Sequence, residues 1–382
     1  MTAQPALMHT DATLSFEPTL SAALARLAAV RPGEYARSRN HLDGAVTRLS
    51  PYITHGFLSL PEVLLGLQQR FRLDAKSKLV YELAWREFFH HVWQHEGDGI
   101  FSSLHAGVLP EAAYANALPA DIRRGATGVP VIDQAVRCLY ASGYLHNHAR
   151  MWLASYVVHL RKVHWRAGAD WLYGHLLDGD LASNHLSWQW VAATGSHKPY
   201  LFNADNVARF APAPWHSPGT PVDATYEALD TIARSECSVV VVGGDGVDEP
   251  PLLHAPPPEL QLDTGPLPSD AWLVHPWALR LGPSGLAGRQ AVGVFAAEFH
   301  AAWPWSAARW RFVAARMAEM GVRRVWLQGQ PPAHASAVND PHLAVLWSLG
   351  ESTPVPRLFA SPATRCASFS QYFARVSPSL QF

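Results

Sequence analysis

The stretch from Leu176 to Trp190, LLDGDLASNHLSWQW, constrains this chain more than any other. Asp178 and Asp180 flank a glycine in a tight turn, an amide follows at Asn184, and tryptophans follow at Trp188 and Trp190. A surface loop does not need that mixture, and an ordinary core helix would not accept it. A helix beginning after Asp180 places Asn184 and Trp188 one turn apart on one face. A neutral hydrogen-bonding group then stands beside an aromatic one, behind a pair of carboxylates. Such a wall suits a planar heterocycle with polar edges and reads as a flavin site.

From about residue 18 to 210 the apolar pattern has a helical period. Ile132, Val136, Leu139 and Tyr140 form one stripe, opened by Pro130 near the first turn, and Ala154, Val157, Val158 and Arg161 continue it. β-branched alternation is scarce, which predicts an all-α domain. Residues 211–220 and 249–269 are rich in proline and read as linker or extended loop. Short apolar runs at 238–244, 271–276, 291–297, 324–329 and 356–361 predict strands, and a helical pattern spans Trp305 to Met320. Strand–helix alternation predicts a small α/β domain with a mainly parallel sheet. Gly243, Gly244 and Gly246 form neither GxGxxG nor a P-loop, so no nucleotide site is assigned there. The expected class is therefore α+β multidomain: an all-α domain over 1–228 and a smaller α/β domain over 229–382.

A chain of 382 residues, 48% hydrophobic and 16% charged, can bury two cores and is not disordered overall. A net charge of −1 gives no global nucleic-acid signature, so any DNA contact needs a local patch. Arg123, Arg124, Arg137, Arg161, Lys162 and Arg166 are the candidates, and solvated helix faces explain them almost as well. Cys138, Cys237 and Cys366 are scattered, without a CxxC pair, and fit reduced thiols of a cytoplasmic protein. Neither a signal peptide nor a membrane span is expected. Glu87, His91 and His95 share a helix face but lack a third-ligand pattern, so no metal is expected. Fifteen tryptophans exceed what packing requires and suit a chain that moves electrons or stacks bases.

LLDGDLASNHLSWQW resembles the flavin-binding core of the photolyase/cryptochrome family. TRLSPYITHG (Thr47 to Gly56), YELAWREFF (Tyr81 to Phe89) and TGVPVIDQAVRCLYASGYLHNHARM (Thr127 to Met151) agree with it in the same order. The resemblance covers roughly residues 30–210 and implies a photolyase-type FAD-binding all-α domain. It implies that Asp178 pairs with Arg150 beside the flavin's reactive edge, that Asp180 accepts from the ring's N–H edge, and that Asn184 faces N5. Thr47, Arg48, Leu49 and Ser50 would hold the diphosphate. Tyr35 would help, although its spacing to Arg48 is one residue shorter than the family's. Glu82, Trp85, Asn147, Met151 and Trp190 would line the cavity for a flipped-out cyclobutane pyrimidine dimer in DNA, with Arg86 supporting the wall. Trp188 and Trp165 match the inner and middle members of an electron relay. The outer position falls near Ala112, where Tyr114 is the nearest aromatic, and Trp152 or Trp171 offers another exit.

The implied activity is light-driven dimer repair by FAD in a cytoplasmic protein, with a monomer favoured. The alternative is a cryptochrome-like blue-light or redox sensor without repair. The chain departs from the family in its order, since the family's antenna-bearing α/β half usually comes first. Trp272 to Leu281 and Val294 to Phe312 faintly resemble pieces of that half. A displaced antenna domain and an unrelated cap therefore both stand, and the antenna chromophore is unassigned.

Overall fold

The computed structural model describes residues 14–241, 243, 245–282, 288–349 and 351–380. Its first part is helical: α1 Leu20–Ala29, α2 Pro32–Ser38, α3 Ser50–Thr54, α4 Leu60–Gln68, α5 Lys78–Glu96 and α6 Ala120–Arg123. Then come α7 Pro130–Ser142, α8 Asn147–Ser155, α9 Trp165–His175, α10 Leu181–Ala192, α11 Ala204–Phe210 and α12 Tyr226–Ala233. Local chemistry sets several of these ends. Ser59 and Glu62 form a capping box on α4, and Pro130 opens α7, where its missing N–H is harmless. Gly143 ends α7 at φ +65°, and a Cβ there would meet the Leu177 side chain at 2.7 Å. The chain can therefore turn tightly beneath the acidic loop.

The second part holds strands β1 Leu252–Leu253, β2 Trp272–Val274, β3 Ala291–Ala296, β4 Trp305–Ser306, β5 Arg323–Leu327, β6 Ser336–Asn339 and β7 Glu351–Pro354. Five of them form a sheet in the order β5-β3-β2-β6-β7, in which every pairing is parallel. Helices α13 Ala297–Ala302 and α14 Ala307–Glu319 link β3 to β5, and α15 Pro341–Ala344 and α16 Phe369–Val376 follow β6 and β7. The two parts share one core: Phe312 on α14 lies 5.4 Å from Phe57 and 6.0 Å from Tyr52.

Three expectations change. The run at 238–244 is no strand over its described residues 238–241 and 243; Val242 and Gly244 lie outside them. It is a strap on the helices: Val239 N–H donates to Leu160 O, and a Cβ on Gly243 would strike Ala126 O. Val239 and Val241 are half-buried there, while Val240 is 66% exposed. The run at 356–361 is also a loop, while β6 and β7 come from SAVN and ESTP, which carry too little apolar signal to be read. Finally, most of the cationic patch is engaged internally, while Arg124 stays exposed. Arg161 pairs with Asp121, Arg123 with Glu249 and Arg166 with Asp170, while Lys162 is buried on three carbonyl oxygens. No described helix is long and apolar enough to cross a membrane.

The C-terminal segment lies along α5. Glu87 accepts from Leu358 N–H at 2.7 Å, and His91 Nε2 accepts from Cys366 N–H at 3.0 Å, so these side chains dock a tail. Phe369 then stacks on Trp85 with centroids 3.9 Å apart and planes 8° from parallel. Phe369→Leu keeps the apolar volume and removes the stack, so thermal unfolding should show a loss of about 1 kcal/mol.

Candidate functional site

The acidic turn between α9 and α10 is the centre of the site. Asp178, with a side chain 3% exposed, accepts from Arg150 Nη2 at both oxygens, at 2.9 and 2.8 Å. Arg150 also donates through Nε to Leu145 O at 2.7 Å, and its guanidinium lies 5.5 Å from the Tyr144 ring. A buried carboxylate needs such a partner, because an unpaired one would be strongly disfavoured.

Asp180 caps α10: its Oδ1 accepts from Ser183 N–H at 2.8 Å. Its Oδ2 accepts from Arg86 Nη2 at 3.1 Å and His90 Nε2 at 2.9 Å. Burial alone would raise this carboxyl, but Arg86 and His90 outweigh it and hold Asp180 well below the usual carboxylate range. Arg86 therefore reaches the acidic turn directly. His90, one turn further along α5, was missed in the sequence, although its i+4 spacing from Arg86 was there to read.

Asn184 is buried and donates through Nδ2 to Ala169 O at 2.8 Å. Arg48 has φ +51°, and its Nε is buried without a partner. Thr47 Oγ1 accepts from Leu49 N–H at 3.4 Å, and Ser50 opens α3. Tyr35 lies on α2, where burial and the nearby Glu82 push its phenol up.

Glu82 accepts from Lys78 at 2.9 Å and Arg39 at 3.3 Å, with a side chain 26% exposed. Arg39 is a second residue that the sequence did not single out. Asn147 is exposed at the start of α8 and lies 3.9 Å from the sulfur of Met151. Trp190 is 37% exposed and sits 5.9 Å from the Tyr200 ring. Trp188 and Trp165 are both buried, and Trp165 donates to Ser103 Oγ at 3.0 Å. Tyr114 sits by His164, with ring centroids 6.4 Å apart. Trp152 donates to Asn206 and Trp171 to Glu249, which gives both rings structural partners.

A cleft between the helices and the sheet's carboxyl edge is lined by Thr54, Arg86, His90, Asp180, Trp277 and Asp340. It encloses about 80 Å³, against roughly 300–1,000 Å³ for cofactor pockets. The unpartnered Arg48 Nε and the acidic turn are polar groups that a buried ligand with polar edges would satisfy. The donor set fits a flavin, although the free volume in this structure is smaller than one.

Residues 79–213 match the family model for the FAD binding domain of DNA photolyase. Over this segment the chain is similar to the photolyase/cryptochrome family. FAD is the cofactor that this match supports. A deoxyribodipyrimidine photo-lyase of Streptomyces griseus is 36% identical over 164 residues, covering 43% of this chain and 36% of that protein. The Escherichia coli deoxyribodipyrimidine photo-lyase is 33% identical over 191 residues, covering 46% and 38%. Cryptochrome DASH of Oryza sativa is 33% identical over 172 residues, covering 42% and 29%. Among solved structures, a Synechocystis cryptochrome shares 29% identity at a TM-score of 0.46, over 55% of this chain and 46% of that one. The chain thus spans less than half the length of each of these photolyase/cryptochrome relatives.

Proposed function

We propose that this protein is a light-driven repair enzyme that splits cyclobutane pyrimidine dimers in DNA. One observation carries the reading. Helix α5 brings Arg86 to the Asp180 carboxylate at 3.1 Å while Glu82, one turn earlier, keeps a partly exposed carboxylate on the same helix. One element thus serves both the cofactor edge and a possible substrate wall. FAD, when bound and reduced, supplies an electron on blue-light excitation.

The chain's own residues would bind and orient. Asp178 and Arg150 fix one polar edge of the site, and Asp180 offers an acceptor to the other. Trp85 gives a flipped-out dimer an aromatic surface on its edge away from Phe369. Glu82 and Asn147 bond the dimer's polar rim, and Met151 and Trp190 close the apolar sides. Extrusion of the target base is the habit of photolyases as a class and is carried over from them. Trp188 and Trp165 would pass electrons inward from the protein. DNA would reach the site without a large basic face, since Arg123, Arg161 and Arg166 of the sequence patch are internally paired.

A second reading, a blue-light or redox sensor, draws on one observation of its own. Arg39 and Lys78 already neutralise Glu82, and Phe369 already covers one face of Trp85. In darkness, the repair reading expects the protein to prefer an oligonucleotide with one cyclobutane dimer over the undamaged strand. Glu82→Ala should reduce that preference about tenfold, as for a lost hydrogen bond to a charged group. Equal affinity for the two strands would overturn repair and leave the sensor.

A further inference from the structure

We propose that the α/β part of the chain is a positioning element of the cofactor site, acting through Arg309 and His342 on the backbone of the acidic turn. The inference rests on the reading that Asp178 and Asp180 contact the flavin.

Arg309, on α14, is fully buried. Its Nη2 donates to Gly179 O, between the two aspartates, and its Nη1 donates to Tyr173 O at 3.4 Å. The guanidinium lies 4.0 Å from the Trp305 ring centroid and 4.9 Å from that of Tyr173. A buried cation without a carboxylate on it is unusual, and here two carbonyl oxygens take its Nη groups and two aromatic faces flank it, while its Nε has no hydrogen bond. The fit is close on the other side as well. A Cβ on Gly179 would meet Arg309 Nη1 at 2.5 Å and Tyr173 O at 2.7 Å. The glycine between the aspartates is therefore required by the Tyr173 carbonyl, with Arg309 closing the same space from 130 residues away.

His342, on α15, holds the next step of the turn. Asp340 Oδ1 accepts from its Nδ1 at 2.6 Å, which fixes the tautomer. Its Nε2 is then an acceptor, and it takes the Leu181 N–H at 3.3 Å, at the first residue of α10. The same nitrogen stands 3.9 Å from Asp180 Oδ2. Trp277 stacks on the ring at 4.4 Å and 9°, and Trp93 meets it edge-on at 4.9 Å, so the ring cannot rotate away. Thr54 Oγ1 donates to Asp178 O at 3.3 Å and His55 faces Leu177 O at 2.8 Å, completing the frame from the helical side. The acidic turn is thus gripped by its backbone, which leaves its carboxylates for Arg150, Arg86, His90 and a ligand. The sheet's carboxyl edge does this work, since Asp340 and His342 follow β6 directly.

The test titrates the full chain with FAD in darkness, following flavin fluorescence and the visible circular dichroism of the bound ring. The variants are Arg309→Met, Arg309→Lys, His342→Phe and His342→Gln, with Asp180→Asn as the control for the site itself. Arg309→Met and His342→Phe should each weaken FAD binding about tenfold and alter the dichroic bands. Arg309→Lys and His342→Gln, which keep a donor or an acceptor, should recover part of both. Asp180→Asn should weaken binding at least as much. If Asp180→Asn weakens binding while Arg309→Met and His342→Phe bind FAD with wild-type affinity and bands, the positioning role is overturned and the site reading survives. If Asp180→Asn has no effect either, the site reading fails and the positioning role with it. Should Arg309→Met not fold, the His342 pair decides alone.

Discussion

Replacing Arg150 by methionine is expected to destabilise the protein by about 3–5 kcal/mol, the usual consequence of leaving one partner of a buried pair uncompensated. Asp178 is almost wholly enclosed, and both of its oxygens depend on the same Arg150 nitrogen. Methionine fills the space of the arginine stem and supplies no donor. Chemical denaturation of the single variant measures the loss. The double variant Arg150→Met/Asp178→Asn removes the stranded charge and should recover most of the stability. It should not recover FAD binding, because the polar edge presented to the flavin is gone. That divergence between stability and cofactor retention distinguishes a site pair from a purely structural one. If the double variant regains both, Arg150 and Asp178 serve only the fold.

Acid should unfold this protein near pH 5. His146, His159 and His175 are all buried, and each leaves one ring nitrogen without a hydrogen bond, Nε2, Nδ1 and Nε2 respectively, although Glu249 stands 3.8 Å from that of His175. Burial holds His146 down at about 3, and His159 and His175 at about 4. In the unfolded chain the same groups titrate near 6.5. Between those values the unfolded state binds more protons, so stability is complete above about pH 6.5 and is lost as the pH falls toward 4. At pH 5 each histidine accounts for about 2 kcal/mol, and the three together for about 6 kcal/mol. That is comparable with the whole stability of an ordinary domain, about 5–15 kcal/mol. Thermal melts from pH 7.5 to 5 should show a steep fall in midpoint, largely restored on return to neutral pH. A flat profile over that range would contradict the burial of neutral rings.

What could be read from the sequence was what is local. A helix beginning after Asp180 and Pro130 as a helix opening both lie within a few residues of their consequences. The Arg150–Asp178 pair spans 28 residues and was reached only through resemblance. Arg309 and His342 could not have been found that way. Nothing near Trp310 or Pro341 marks a side chain whose partners are Gly179 and Leu181, and both act on backbone atoms, which leave no complementary residue type. The 238–244 run misled because β-branched residues suit any half-buried extended segment, whether or not a strand lies beside it. Arg123, Arg161 and Arg166 stayed open between the two readings for the converse reason: charge is visible in a sequence, but its partner is not.

The most direct measurement is repair itself. Purified protein with FAD reduced under anaerobic conditions would be illuminated with blue light alongside an oligonucleotide carrying one cyclobutane dimer, following the return of thymine absorbance. The account predicts light-dependent recovery that is lost in darkness and weakened by Glu82→Ala. Reduced FAD bound and excited, with no recovery in the wild-type protein, would contradict it and favour a sensor.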